Sequence, residues 1–117
     1  MEKDKPMQWR LRSKVWLEVG GHPVMGEGRM VMLQAIHRHG SIIEASRETG
    51  IPYRKMRGAI RDMEKIIGRP LVKAYRGGDD GGGAVLTVDA HWLIDSFQRF
   101  SSGLQKEADV RFQENIG

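Results

Sequence analysis

Four cations fall at helical spacing between residues 52 and 67. At about 100° per residue, Arg54, Arg57, Arg61 and Lys65 gather with Gly58 on one stripe, and Met56, Ala59, Ile60, Met63 and Ile67 fall on the opposite one. The spacing predicts a helix with a core face and a cationic face. A guanidinium can pair bidentately with guanine O6 and N7, and both Arg and Lys can neutralise phosphates, so such a face suits base reading and backbone anchoring on DNA. Gly58 weakens the helix, but among the arginines it would allow close approach to a duplex. Lys55 adds a further cation at the helix start. Tyr53, seven residues before Ile60, lies near the core stripe: its hydroxyl reaches a phosphate, or it is simply a core tyrosine.

The flanking residues supply the elements that would position this helix. Leu11 to Val19 alternate as a strand does, and Gly20, Gly21, His22 and Pro23 break the pattern. A helix is expected over 27–39, with Met30, Leu33, Ile36 and His37 on its buried face and Gly40 as its stop. Ser41 and Glu44 form a Ser-x-x-Glu capping box, predicting a short helix over 42–49. Gly50, Ile51 and Pro52 turn the chain into the cationic helix, 52–67, with Pro52 at its first position. This pair is a helix-turn-helix candidate. Gly68 and Pro70 close it, and strands at 71–75 and 84–86 flank a glycine-rich tip at residues 76–83 to make a hairpin over 71–86. Thr87 can cap a last helix over 88–112, whose apolar stripe includes Leu93, Ile94, Phe97, Phe100, Leu104 and Ala108.

The expected fold is therefore mainly α with a small β component, a winged helix-turn-helix with a long carboxy-terminal dimerisation helix, filling one domain over 1–117. The apolar stripe outruns a small three-helix core, so Phe97, Phe100, Leu104 and Ala108 are expected to form a homodimer interface. The competing use of that stripe is to fold back on the strand at 11–19. Two recognition helices related by a two-fold axis would read an inverted repeat.

Charge placement agrees with a polyanionic partner. Segments 1–40, 41–76 and 77–117 carry net +3, +5 and −4, and residues 52–76 hold eight basic and two acidic side chains. There are no cysteines, which removes disulfides and thiolate metal sites. The opening MEKDKP lacks a signal-like apolar stretch, and no run approaches the ~20 apolar residues of a membrane span, so a soluble cytoplasmic protein is expected.

The sequence resembles the amino-terminal domain of the ModE-type, molybdate-responsive transcription regulators. The likeness runs from about residue 26 to 112: Ala35-Ile-x-x-x-Gly-Ser41-Ile, Gly50-Ile-x-Tyr-Arg/Lys, Leu71-Val and, most specific, Gly77-Gly-x-x-Gly-Gly-Gly-Ala-Val-Leu-Thr87. LysR-type regulators share the early pattern without the glycine tip. The resemblance implies a winged-helix repressor or activator that dimerises through terminal helices on a palindromic operator, and it carries the family's Tyr-basic pattern onto Tyr53, Arg54 and Lys55. With the residues above, the expected contacts to double-stranded DNA are Ser41, Tyr53, Arg54, Lys55, Arg57, Gly58, Arg61, Lys65 and Arg76. Two departures matter. Asp79 and Asp80 occupy the tip where the family usually has a basic residue, and Arg57 stands where it commonly has tryptophan, implying a different operator. Family members sense molybdate through carboxy-terminal modules that lie outside these 117 residues. Constitutive DNA binding, or a signal taken from a partner protein that carries the sensing function, is therefore expected.

His22, His37, His39 and His91 show no catalytic arrangement, and His37 and His39, two apart on a helix, point away from each other. No enzyme activity, cofactor or metal is expected. The glycine tip lacks the Gly-Lys-Ser/Thr of a phosphate loop. The alternative is an interaction module that has lost DNA binding and pairs with a full-length regulator through its last helix. RNA binding is disfavoured by the lack of an aromatic platform.

Overall fold

Gly20 and Gly21 both adopt positive φ, 57° and 82°, as a two-residue turn between antiparallel strands requires. They join β1 (Trp16–Val19) to β2 (His22–Gly26), whose register slips by one residue between Leu17 and Glu18. The computed structural model describes residues 7–76 and 82–117. The long strand expected from residue 11 is only its last four residues, and the glycines read as a break are the turn of a hairpin. Val24 and Met25 of β2 are buried, with Val15 and Leu17 packed against the same core.

Two helices follow at the expected places, α1 (Glu27–His39) and α2 (Ile42–Thr49). Gly40, at φ 63°, ends α1 with its N–H on the Ile36 carbonyl. Leu33 and Ile36 are buried and Met30 is half-buried. His37, expected on that face, is instead exposed and meets His91 edge-on. Ser41 Oγ accepts from the Glu44 N–H at 3.2 Å, the first half of the capping box. The Glu44 carboxylate does not complete the box but turns to Arg47 at 2.6 Å. Ser41→Ala is expected to cost about 1 kcal/mol of stability. A denaturant midpoint equal to that of the unsubstituted chain would remove the cap from the account.

The turn into α3 (Tyr53–Ile67) is fixed by side chains. Ser46 Oγ donates to the Ile51 carbonyl at 2.6 Å, Thr49 Oγ1 accepts from the Ile51 N–H at 3.2 Å, and Gly50 takes φ 75°. Pro52 is the cap rather than the first helical residue, a shift of one position. Met56, Ile60 and Met63 seat α3 on the core.

At the far end of α3, Glu64 accepts from the Leu71 and Val72 N–H groups at 2.7 and 3.2 Å, aiming the chain into β3 (Val72–Tyr75). β3 pairs antiparallel with β4 (Gly83–Leu86), Tyr75 opposite Gly83 and Val72 opposite Leu86. The Ala84 N–H donates to the Gly40 carbonyl at 2.9 Å, so the hairpin is seated on the corner between α1 and α2. Gly83 makes that seat possible: a Cβ there would lie 2.8 Å from the Gly40 carbonyl oxygen. Most of the glycine tip, with Asp79 and Asp80, lies outside the described residues.

Thr87 Oγ1 accepts from the Ala90 N–H and starts α4 (Val88–Asn115), three residues longer than the spacing predicts. Ala90, Leu93, Ile94 and Phe97 are buried. Beyond them the stripe leaves the core: Phe100 and Leu104 are 57% and 41% exposed, and Ala108 and Phe112 are half-buried. The residues before β1 touch this part of α4 through Ser13, whose hydroxyl donates to Gln105 at 3.1 Å, but they leave Phe100 and Leu104 open. Phe97, expected in the dimer interface, is 2% exposed and belongs to the monomer core.

Candidate nucleic-acid interface

The polarity of α3 follows from its sequence. With Met56, Ile60 and Met63 inward, Arg54, Lys55, Gly58, Arg61 and Lys65 are exposed. Arg57, at the edge of the stripe, is half-buried. Among the described residues none of the five cations takes part in an ion pair or a side-chain hydrogen bond, in contrast to Arg29, Arg38, Arg47, Arg69 and Arg111, each paired with a carboxylate.

The carboxylate that follows Arg61 in the helix is already engaged. Asp62 accepts from Arg29 at 2.8 Å, and the same guanidinium donates to the Val24 and Pro23 carbonyls at 2.9 and 3.3 Å. Arg29 thus ties α3 to β2 while pairing with an acid beside the stripe. Nothing in the cation spacing reveals this residue. The Pro23-to-Met25 stretch behind a Gly-Gly turn is the signal that could have exposed the second strand, and with it the clamp.

Gly58 stands in open space: apart from its chain neighbours and the backbone of its own helix, no described atom lies within 4 Å of where a Cβ would be. Packing within the chain therefore gives no reason for glycine at this exposed helical position. Tyr53 is 44% exposed at the amino end of the stripe, with its ring off the fully buried core. Ser41 is half-buried and committed to capping α2. Arg76 is exposed at the end of β3, and exposed Lys73 adds a second cation to that strand which spacing alone does not single out.

No family model matches the chain. Curated relatives do. It is 39% identical over 82 residues to the molybdenum-pterin-binding protein MopB of Rhodobacter capsulatus, covering 70% of this chain and 30% of that protein. Over 82 residues it is 35% identical to the DNA-binding transcriptional dual regulator ModE of Escherichia coli K12, covering 70% of this chain and 31% of the regulator. To the molybdenum transport protein ModE of Azotobacter vinelandii it is 32% identical over 107 residues, 92% of this chain and 39% of that protein. The chain is ModE-like. It spans about a third of the length of these relatives.

The ends of α1 and α2 in the ModE-like chain are joined by a second charged cluster. Arg38 donates to both oxygens of Glu48 at 2.7 and 2.6 Å, and His39 Nε2 lies 2.8 Å from Glu48 Oε2. The Arg38 hydrogen bonds, helped by His39, hold the Glu48 carboxyl below the usual carboxylate range. A carboxyl so lowered adds stability above its unfolded value, and that contribution is lost as pH falls through the lower folded value. Glu48→Gln is expected to flatten the acid side of the stability profile there, as read by denaturant midpoints across a pH series. An unchanged acid slope would contradict it. Among the described residues of the ModE-like chain, no helix is long and apolar enough to cross a membrane.

Proposed function

We propose that the chain is a sequence-specific regulator of transcription that binds double-stranded DNA, built as a winged helix-turn-helix in which α3 enters the major groove. The observation that carries this reading is the cationic face of α3, Arg54, Arg61 and Lys65 around Gly58, which makes no ion pair among the described residues and lies beside an acid paired with Arg29. An ordinary solvated helix mixes both signs of charge. This face is instead single-signed and held at a fixed angle by the α2–α3 turn. In the proposed complex Arg54 and Arg61 read base edges, with Arg57 flanking them. Lys55, Lys65 and the Tyr53 hydroxyl meet phosphates, and the β3–β4 hairpin acts as the wing, bringing Lys73 and Arg76 to the backbone. Ser41 places the amino end of α2 near a phosphate. The homodimer, formed through Phe100, Leu104 and Ala108 of α4, would set two α3 helices roughly 34 Å apart over an inverted repeat. ModE of E. coli is named as a DNA-binding regulator, which supports the reading, while the Mop proteins are named for molybdenum-pterin binding.

Gly58 gives a test that separates folding from binding. Because no described atom outside its own helix backbone lies within 4 Å of its Cβ position, Gly58→Ala should stabilise the chain by roughly 0.5–1 kcal/mol. The same methyl would stand between the helix and the groove floor and weaken DNA binding. A variant that is more stable and binds DNA equally well would remove close approach from the account. The direct experiment on function is selection of bound duplexes from a random pool. Enrichment of an inverted repeat supports the proposal, and no enrichment over several rounds overturns it.

A further inference from the structure

His37 in the last turn of α1 and His91 in the first turn of α4 stand far apart in sequence, yet their rings meet edge-on, with centroids 4.8 Å apart and planes at 89°. Both are exposed, and neither ring makes a hydrogen bond to a described residue, unlike His39, which is engaged by Glu48. Their backbones are well fixed. Gly40 N–H on the Ile36 carbonyl closes the end of α1, and His91 N–H on the Thr87 carbonyl opens α4.

We propose that His37 and His91 form a two-imidazole site for a borderline divalent transition ion, Zn²⁺, Ni²⁺ or Cu²⁺. Neutral imidazole is a good ligand for these ions and a poor one for Mg²⁺, which demands oxygen. Two imidazoles on one tetrahedral ion, each with its nitrogen at about 2.0–2.1 Å, hold their ring centres about 5 Å apart. The observed 4.8 Å separation is close to that spacing. Among the described residues no group of three or more His, Cys, Asp or Glu is placed to hold a metal, so water fills the remaining positions and the ion exchanges readily. A bound ion would staple α1, whose end forms the α1–α2 corner, to the base of α4. This inference stands apart from the DNA reading, since it uses neither α3 nor the hairpin.

The test is calorimetric titration of the untagged full chain with zinc chloride, paired with thermal melts. One ion per chain is expected, with a melting temperature raised by roughly 10 °C at a hundredfold excess over Kd. His37→Ala and His91→Ala should each weaken binding at least tenfold, whereas His22→Ala and His39→Ala should not, and magnesium chloride should give no signal. Melts in chelator confirm that each variant is folded. Absence of saturable zinc binding, or zinc binding that survives both the His37 and the His91 substitution, overturns the site.

Discussion

Replacing Arg54 and Arg61 together by alanine is expected to weaken binding to the selected operator by about a thousandfold, a loss of roughly 2–6 kcal/mol if each guanidinium reads a base. Both side chains are exposed and make no ion pair with any described residue, so their removal should leave stability within about 0.5 kcal/mol. That separation makes the result interpretable. Specificity should relax at two operator positions, while residual binding to arbitrary duplex persists. Arg57 differs because it is half-buried at the edge of the stripe. Its alanine variant should lose packing of the side-chain stem as well as any contact, so its loss of binding comes with some loss of stability. Operator affinity unchanged in the Arg54/Arg61 variant at low salt would place the DNA, if any, on another face.

The second large effect is expected from Phe100→Glu combined with Leu104→Glu. Both residues lie on the part of α4 that runs past the core, and the Ser13–Gln105 contact leaves them open. Two carboxylates on that strip should prevent burial against a second copy, so the variant should sediment as a folded monomer where the unsubstituted chain is expected to sediment as a dimer. Half-site binding then loses the advantage of a linked second site, a factor of roughly 10²–10⁴ in affinity. A wild-type chain that is a folded monomer at micromolar concentration would overturn the dimer. So would a variant that still dimerises and binds DNA normally.

Strong local signals made most of the helical frame legible from the sequence. Gly40, Gly50 and Gly68 end α1, α2 and α3 in the left-handed conformation, and Ser41 and Thr87 start α2 and α4 with hydroxyl caps. Apolar spacing alone put Met56, Ile60 and Met63 on one side of α3 and so left its cations on the other. What was missed depends on contacts between residues distant in the chain. β2 was hidden because Pro23 looked like a break, although Gly20-Gly21 is a two-residue hairpin turn. The Arg29–Asp62 clamp and the Ala84-to-Gly40 hydrogen bond join segments that periodicity cannot relate. Phe97 was assigned to a dimer surface because helical spacing defines a stripe but not where the core beneath it ends; that end falls between Phe97 and Phe100. His37 was misplaced for the opposite reason. It lies at the edge of the α1 core face, where α4 brings His91 against it instead of burying it.

The central claim, that the α3 face meets the phosphates and bases of duplex DNA, is tested most directly by the salt dependence of DNA affinity. Each phosphate neutralised contributes a slope of about −0.9 to log K against log salt. With Lys55, Lys65, Lys73 and Arg76 contributing in each protomer, the dimer should follow a straight line of slope near −7, shallower by about 2 when Lys65 is replaced by alanine in both copies. An affinity independent of salt, a slope unmoved by the Lys65 substitution, or no duplex binding at 50 mM salt would contradict the account.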